Sequence, residues 1–545
     1  MRQIAQKPLF WIILASVLPV LSLLHPGMPF VHDGQDHVAR IANFYAALKD
    51  GIIVPRWAAN LNWGYGHPVL MFLYPLPEYL ASAFHFLGFT LVDSTKLVFG
   101  LSLIASAAAM FLWMNAAFGV EAGILGSLLY TFAPYRFVDL HVRGALGEHV
   151  AFVFPPLVLY FLFRKQWIPA SVSLTALILS HNAISLMFLP VIGLYGLYLL
   201  IFESKKKSVF IAYCFLSIML GFALSAFFWM PALIEGKFTL RDIVTAGEAL
   251  TRFVPWTWFV YSPWNYGGTD TLTKALGFGQ WIGIIAAIVL VVKTKERKQK
   301  VFLAGLLVMV FLSLFIQTAW SAPIWRASAL LQDFQFPWRF LSVSVFITAV
   351  LGGIAMAWVF QKIAKSKKQI AKILFFVFCF FSIILTVPMW SPKGYQVHDD
   401  SFYSGIYPGT TDTGESSPIW SVRFMEHTSA NPLEVIDGDA TVTVGKRTSA
   451  EHEYTLTVRK PTLMMENTLY FPGWMIYVNG QPTGIEWQNQ TYRGLMTFRV
   501  TPGVVHVQVV FGDTKVRSVA NWISTAALLF VTIVSVGGLV WKTKK

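Results

Sequence analysis

The stretch that decides the fold is "LFWIILASVLPVLSLLHPGMPFVHDGQDHVAR", residues 9–40. Residues 9–24 are apolar and have the composition of a helix that crosses a membrane. Ionisable side chains follow closely: His32, Asp33, Asp36, His37 and Arg40. Such side chains are costly within a bilayer and usually mark functional positions there. The stretch therefore predicts a membrane helix that ends next to a polar site.

The whole chain has the composition of a membrane protein. Of its 545 residues, 55% are hydrophobic and 13% are charged, whereas soluble domains carry about 25% charged residues. Its two cysteines, Cys214 and Cys379, lie in apolar runs and provide neither a disulfide framework nor metal-ligand spacing. Repeated apolar segments predict a multi-span α-helical membrane protein whose immediate partner is the lipid bilayer.

Twelve apolar segments are candidate spans. They are residues 9–24, 96–117, 121–134, 150–163, 167–180, 183–202, 208–230, 277–292, 301–319, 338–360, 370–390 and 518–541. If all twelve cross, the lysine-rich and arginine-rich short loops fall on one side, which the positive-inside rule makes cytoplasmic. We therefore expect cytoplasmic termini and a place in the inner or plasma membrane. The net charge of +14 then reflects orientation, not a nucleic-acid surface.

The apolar segment 69–87 is not counted as a span. Pro75, Pro77 and Glu78 interrupt it, and proline breaks helices. Counting it would also move every later basic cluster to the opposite side of the membrane. We expect helices that lie at, or dip into, the outer interface.

Three longer segments, 25–95, 231–276 and 391–517, are predicted to face outward. Within the last, five stretches have strand-like alternation: 440–445, 453–460, 475–480, 495–503 and 505–512. The pairs Asn479-Gly480 and Pro502-Gly503 favour turns. The predicted organisation is a transmembrane catalytic domain over 1–390, an extracytoplasmic β-rich domain over 391–517, and a last span with a basic tail over 518–545.

The first group of candidate site residues lies in the opening stretch. Asp36 suits a helix N-cap, and residues 37–48 have apolar positions at helical spacing. Asp36 and Arg40 would share a face of that helix. Asp33 precedes it, and a carboxylate there could remove a proton from a hydroxyl. The alternative interpretation is a solvated loop or a simple cap.

The second group lies in "YRFVDLHVRGALGEHVAF", residues 135–152. Its ionisable residues are Asp139, His141, Arg143, Glu148 and His149. Oxygen and imidazole ligands from Asp139 and His141 could hold a divalent cation such as Mg²⁺ or Mn²⁺, and Arg143 could hold a phosphate. No strict metal motif is present, and a buried ion-pair network is the alternative.

The third group is scattered over predicted outer ends of spans. It comprises His181, Asn182, Glu235 and Arg339. Each alone could end a helix or anchor the interface. Together with the first two groups they predict one outward cavity rich in acid, histidine and arginine.

The pattern of these motifs resembles the GT-C class of integral-membrane glycosyltransferases. The stretches "HDGQDHVAR", "VRGALGEH", "LSHN", "FFWMPALIE", "YSPWNYG" and "QFPWRF" resemble bacterial membrane proteins described as 6-pyruvoyl-tetrahydropterin-synthase-related. The tail "LYFPGWMIYVNGQ" with "VTPGVVHVQVVF" is similar to YfhO-like proteins of that class. The resemblance covers nearly the whole chain.

This resemblance implies roles for individual residues. The first-loop acid of the class is a catalytic base or a metal ligand, which corresponds to Asp33, with Asp36 as competitor. The second-loop acids correspond to Asp139 and Glu148. A polyprenyl-phosphate-linked sugar as donor implies a cationic site, with candidates Arg339, Arg143 and Arg40. The second loop reads Asp-Leu-His and not Asp-x-Asp, which puts metal dependence in doubt.

The predicted function is transfer of a sugar from a polyprenyl-phosphate donor to an extracytoplasmic glycan, lipid or protein. His141, His149, His181, Asn182 and Glu235 would help to bind substrate. A transporter or flippase of a lipid-linked or anionic solute is the main alternative, although no matching halves are visible. A non-catalytic assembly or sensor protein is the third, with Trp474, Trp487 and Tyr492 as possible sugar contacts.

Overall fold

The computed structural model describes residues 2–268 and 270–543, with side chains over 7–268 and 270–537. The chain divides into two units. The helical unit comprises Met1–Gly34, Lys96–Ala223 and Ala246–Val397. The mixed unit comprises Gln35–Thr95, Leu224–Thr245 and His398–Lys545.

Helices long and apolar enough to cross a membrane dominate the described residues. Nine have this character: Lys7–Leu24, Leu91–Phe118, Leu146–Phe163, Asn182–Phe202, Lys207–Leu224, Arg297–Phe315, Pro337–Ala364, Lys368–Met389 and Lys515–Gly537. Three apolar helices are shorter: Val120–Thr131, Trp167–Ser180 and Phe278–Lys293. Every one of the twelve predicted segments coincides with one of these helices. The chain is a multi-pass helical membrane protein, as predicted.

One helix, Leu341–Ala364, lies at the centre of the helical unit. Of its membrane-spanning window, 89% is buried inside the protein. It packs against Val120–Thr131 and Phe278–Lys293, and glycines make that contact possible. A Cβ at Gly353 would lie 2.8 Å from the Gly126 backbone, and one at Gly283 would lie 2.6 Å from Gly352. Glycine allows such backbone approach between membrane helices.

The predicted outer loop at 135–152 is helical and buried. Pro134–Val138 leads into a π-helical turn, Asp139–Arg143, and Leu146–Ala151 follows. Its acids and bases are all buried. The sequence left a buried ion-pair network as the alternative to a ligand site here, and the charged side chains do pair with one another. A π-helical turn is rare and frequently marks a functional site.

A short strand pair closes the helical unit near its polar site. β1, Met28–Pro29, pairs antiparallel with β2, Tyr395–Gln396. The Tyr395 hydroxyl donates to the Ser22 carbonyl at 2.8 Å, and its ring stacks on His25. The residues just before Asp33 are thus fixed by a segment near the far end of the same unit.

The mixed unit begins within the helix Gly34–Lys49, most of which is buried. Its other helices are Val69–Phe72, Leu76–Phe86, Ala226–Ile234, Arg241–Val244, Asp400–Ser404 and Lys515–Thr543. Segment 69–87 is therefore two short helices, as its prolines predicted. Leu73 is extended between them, and Pro75 precedes the second.

A six-stranded antiparallel sheet forms the β-rich part, as predicted. Its strands are β3, Leu433–Arg447; β4, Glu451–Leu469; β5, Trp474–Val478; β6, Gln481–Thr483; β7, Leu495–Val500; and β8, Gly503–Phe511. The order is β3-β4-β8-β5-β6, with β7 also on β4. Asn479 and Gly480 both have positive φ, at 51° and 78°, which suits the two-residue hairpin between β5 and β6.

The other predicted turn, Pro502-Gly503, does not reverse the chain. β7 and β8 both pair antiparallel with β4, at registers Thr462↔Val500 and Val458↔Gly503. They therefore run in one direction, end to end, along the same edge of the long strand β4. Proline cannot donate to a ladder and Gly503 has φ +131°, so this pair interrupts a strand where the sequence suggested a hairpin.

Candidate active site

The candidate site of the helical unit is built around Asp33. The His32 and Asp33 amides donate to the carbonyls of Val142 and Arg143 at 3.0 and 2.9 Å. These two bonds hold Asp33 just before the helix Gly34–Lys49, with its side chain exposed. The segments predicted to share one chamber, around Asp33 and over 135–149, are therefore in direct backbone contact.

The helix predicted over 37–48, with Asp36 as its N-cap, starts three residues earlier. The helix begins at Gly34, and Asp36 lies in its first turn. The reason is the pair of bonds to the Val142 and Arg143 carbonyls, which fixes the preceding residues and sets where helical geometry begins. An acid in the first turn still interacts favourably with the helix dipole.

Gly144 explains why this contact can form. Its φ is +67°, a conformation that side chains other than glycine rarely adopt. A Cβ at this position would also collide with the Val31 side chain. The glycine of "VRGALGEH" is therefore required by the approach of the segment that carries Asp33.

Arg143, Asp139, Glu148 and Tyr135 form a buried group, which we call the Arg143 cluster. Arg143 Nη1 donates to Asp139 Oδ1 at 2.5 Å and to Glu148 Oε2 at 2.7 Å. The Tyr135 hydroxyl donates to Glu148 Oε1 at 2.6 Å. The Arg143 guanidinium also lies 4.6 Å from the ring centroid of Trp338. Three motifs that are distant in sequence thus meet: "HDG", "VRGALGEH" and "QFPWRF".

Two carboxylates and one guanidinium leave this cluster acidic. Burial raises the pKa of Asp139 well above its usual range, and the charge of Glu148 raises it further. Burial and the same two carboxylates also raise the pKa of Tyr135. Arg143 is already bound to both acids, so the cluster holds its neighbours in place and offers little positive charge to a phosphate.

The residues around Arg143 do not fit a bound Mg²⁺ or Mn²⁺. The guanidinium occupies one oxygen of each carboxylate and would repel a cation. Burial lowers the pKa of His141 to about 3, and a neutral imidazole suits zinc better than Mg²⁺ or Mn²⁺, which prefer oxygen ligands. Throughout residues 2–268 and 270–543, no three His, Cys, Asp or Glu side chains are grouped as a metal ion requires.

Arg339 follows Trp338 in the sequence, and its environment differs from that of Arg143. Its Nη1 donates to the Phe334 carbonyl at 3.1 Å and to Gln335 Oε1 at 3.4 Å. Its Nε makes no hydrogen bond to any residue that the structure describes. Arg339 pairs with no carboxylate among the described ion pairs, so more of its positive charge remains for a ligand.

His181 lies between two apolar helices of the helical unit, and Asn182 begins the second of them. His181 Nδ1 accepts from the Ile184 amide at 3.4 Å and caps the helix Asn182–Phe202. His149, by contrast, is fully buried beside the Phe99 ring. These contacts are those of residues that order helices.

In the mixed unit a second buried group, the Arg40 cluster, surrounds Arg40. Its Nη1 lies 3.7 Å from Glu78 Oε1 and 3.3 Å from His37 Nδ1, and its other nitrogens donate to Thr411. Burial raises the pKa of Glu78 to about 7, although Arg40 opposes this shift. Asp36, on the same helix, accepts from the Tyr407 hydroxyl at 2.9 Å.

Glu235 has a clear contact within the mixed unit. Its carboxylate accepts from Arg517 at 2.8 and 2.9 Å and from the Thr514 hydroxyl. Arg517 also donates to the carbonyls of Pro472 and Gly512. Glu235 therefore ties the helix Ala226–Ile234 to the start of the last helix.

Sequence reasoning missed three members of these clusters. Tyr135 and Trp338 lie inside stretches that the sequence singled out, but hydroxyl and indole groups were not considered as partners for buried charge. Glu78 was noted only as an interruption of an apolar segment. An ionisable residue inside an apolar run is itself a signal of a buried partner.

Comparison with known proteins gives one family match over much of the chain. A family model described as "6-pyruvoyl-tetrahydropterin synthase related domain; membrane protein" matches residues 70–392. An uncharacterized protein of Lactococcus lactis subsp. cremoris (strain MG1363) is 28% identical over 249 residues, covering 42% of this chain. The chain spans 40% of the length of that relative.

Two solved structures show a loose likeness of fold. Arabinofuranosyltransferase AftD from Mycobacteria is 14% identical with a TM-score of 0.45, covering 71% of this chain and 27% of its own. ArnT from Cupriavidus metallidurans bound to undecaprenyl phosphate is 11% identical with a TM-score of 0.30, covering 70% of this chain and 88% of its own.

The family match confirms the resemblance seen in the sequence motifs. The chain belongs to the 6-pyruvoyl-tetrahydropterin-synthase-related family of membrane proteins.

Proposed function

We propose that this protein is a membrane glycosyltransferase of GT-C type that uses a polyprenyl-phosphate-linked sugar. The observation that supports this most is the contact between the Asp33 and Arg143 backbones. It fixes the backbone of Asp33, whose side chain is exposed, against the backbone of a residue in a buried, ion-paired cluster. A fixed carboxylate at a membrane exit is suited to remove a proton from an acceptor that arrives from water.

Arg339 is the proposed ligand of the donor phosphate. Arg143 is bound to two carboxylates, whereas Arg339 is bound mainly to a carbonyl and an amide oxygen. A guanidinium that retains donors can bind phosphate oxygens through charge-assisted hydrogen bonds. The indole of Trp338 packs on Arg143, so the residue beside Arg339 is fixed by the same cluster that positions Asp33.

The proposed reaction is a direct displacement. Asp33 accepts the proton of the acceptor hydroxyl, and the oxygen attacks the anomeric carbon of the sugar. The bond from that carbon to the phosphate oxygen breaks, and polyprenyl phosphate leaves with the electron pair while Arg339 holds its charge. Asp139 and Glu148 position the base through Arg143 and take no proton from the substrate.

The partners and orientation follow from the same proposal. The lipid tail of the donor lies in the bilayer, and the acceptor is an extracytoplasmic glycan, lipid or protein. The site then faces away from the cytoplasm, with both termini on the cytoplasmic side of the inner or plasma membrane, as the basic loops predict. The comparison structure of ArnT with undecaprenyl phosphate is consistent with a lipid-linked donor.

The decisive experiment is Asp33→Asn in purified protein reconstituted with radiolabelled polyprenyl-phosphate sugars and membrane extract as acceptor. We expect loss of transfer by at least a hundredfold, since general bases typically contribute about 10²–10⁴-fold. The exposed Asp437→Asn on β3 is the matched control and should transfer as wild type.

A comparison of Asp36→Asn with Asp33→Asn shows which acid of the opening stretch is the base. If Asp36→Asn abolishes transfer and Asp33→Asn does not, the base is misassigned. If neither changes the rate, the proposed chemistry is wrong. Arg339→Gln should raise KM for the donor without changing the melting temperature by more than a few degrees.

A further inference from the structure

The mixed unit contains a polar cleft that the proposed reaction does not use. Its volume is about 440 Å³, within the range of roughly 300–1,000 Å³ that small-molecule sites occupy. Its walls are formed by the helix Gly34–Lys49, the segment around Trp63, residues 428–432 and the turn between β3 and β4. We propose that this cleft binds a neutral oligosaccharide.

The strongest support for this proposal is the unusual backbone conformation at Trp63. Asn62, Trp63 and Gly64 have φ values of 53°, 61° and 82° in succession. A positive φ is a genuine outlier for a bulky side chain, and such strain persists only where the surroundings impose it, often at binding sites.

Three hydrogen bonds impose this conformation. The Asn62 amide donates to the Gly409 carbonyl at 2.9 Å, and the Trp63 amide donates to the Tyr407 carbonyl at 3.0 Å. The Met425 amide donates to Asn62 Oδ1 at 2.9 Å. The result is a half-buried indole that lines the cleft, although burying a tryptophan completely would have been the more stabilising use of it.

The remaining lining suits a ligand with many hydroxyl groups. Thr428, Ser429 and Asn431 bring hydroxyls and an amide to the cleft, groups that both donate and accept hydrogen bonds. Asn43, Asn60 and Thr448 also line it, but their side chains already form bonds within the protein. The two charged residues of the lining are paired as well: Asp50 accepts from the Ser449 amide and hydroxyl at 2.8 and 2.6 Å, and Arg447 donates to the Tyr454 hydroxyl at 3.0 Å. An indole beside neutral polar groups suits a sugar, which has apolar C–H faces and a rim of hydroxyls.

The aromatic residues that the sequence offered as sugar contacts have other roles. Trp474 is 3% exposed and packs against Trp57 and Phe511. Trp487 stacks on Tyr470 with ring centroids 4.0 Å apart. Trp63 differs from both, since its strained backbone holds it at the wall of an open cleft.

The test measures binding of neutral hexasaccharides by calorimetry to the full chain in lipid nanodiscs. The probes are cellohexaose, maltohexaose, xylohexaose and chitohexaose. We expect at least one to bind at micromolar to millimolar concentration, and Trp63→Gly to weaken it at least tenfold. Because glycine adopts positive φ freely, Trp63→Gly should not lower the melting temperature.

Two further variants complete the design. Tyr477→Ala removes another half-buried aromatic of the same unit and should bind as wild type. If Trp63→Gly does not fold, Asn431→Ala replaces it and should weaken binding severalfold. The proposal is overturned if none of the four probes binds, or if these cleft variants bind as tightly as Tyr477→Ala.

This inference does not depend on the transferase activity. Asp33→Asn should bind the oligosaccharide as wild type does, even if it abolishes transfer. Loss of binding in Trp63→Gly with normal transfer to a small acceptor would likewise support the cleft as a separate site.

Discussion

The Arg143 and Arg40 clusters, both buried, differ in how completely the charge is paired. Arg143 lies 2.5 and 2.7 Å from two carboxylates, with a tyrosine and an indole around them. Arg40 lies 3.7 Å from a single carboxylate, Glu78. The Arg143 cluster is therefore a tight network that fixes backbone positions, whereas the Arg40 cluster contains an acid that titrates near neutral pH.

The largest effect should come from removing the cation of the tight cluster. Arg143→Met removes the ion-pair partner of two buried carboxylates, and breaking such a pair costs about 3–5 kcal/mol. We expect a strongly lowered yield and melting temperature in detergent. Arg40→Met is the matched variant, and it should be milder because only one carboxylate, at the longer distance of 3.7 Å, loses its partner. Equal losses in the two variants would contradict the difference between the clusters.

The next effect concerns pH and the acid of the Arg40 cluster. Folding raises the pKa of Glu78 from 4.5 to about 7, so the folded state binds the proton more tightly. Its contribution is therefore most favourable below pH 4.5 and is lost as the pH rises through 7, by roughly 3 kcal/mol. We expect the melting temperature of wild type, relative to Glu78→Gln, to fall between pH 5 and pH 8.

The control for this titration is the exposed Asp437→Asn on β3, measured over the same pH range. The quantity to follow is the difference in melting temperature between wild type and Glu78→Gln, because other groups titrate in both proteins. Parallel melting curves for wild type and Glu78→Gln would show that Glu78 does not titrate in this range.

The smallest expected effect is a difference in the free energy of unfolding between two tyrosine variants. Tyr135→Phe removes a 2.6 Å bond to the fully buried Glu148, and an unsatisfied buried acceptor costs about 1–3 kcal/mol. Tyr407→Phe removes a 2.9 Å bond to the half-buried Asp36, where water can replace the hydroxyl, so we expect less than about 1 kcal/mol. Chemical denaturation of the two variants would measure this difference, and the reverse order would contradict it.

Sequence predicted the elements better than their contacts. Hydropathy located all twelve apolar helices, and alternation located five strands of the sheet, because both patterns depend on neighbours close in sequence. The two errors, at Asp36 and at Pro502-Gly503, were set by partners far along the chain. A helix start fixed by the carbonyls of Val142 and Arg143 leaves no local signal.

The same distinction applies to the candidate site. The stretches with Asp33, Arg143 and Arg339 were found from ionisable residues beside apolar runs. The sequence did not indicate that Arg143 would be bound to two acids while Arg339 would not, since that depends on the π-helical turn at Asp139–Arg143. The cleft beside Trp63 was missed, because its strained backbone cannot be read from residue types.

The strand pair β1–β2 has a consequence for biosynthesis. Met28 and Pro29 find their partners only when Tyr395 and Gln396 have left the ribosome. At about 5–20 residues per second, that delay is on the order of tens of seconds. The proposed catalytic base therefore emerges early and must wait at the membrane surface until most of the chain is synthesised, which makes premature termination before residue 396 incompatible with a finished site.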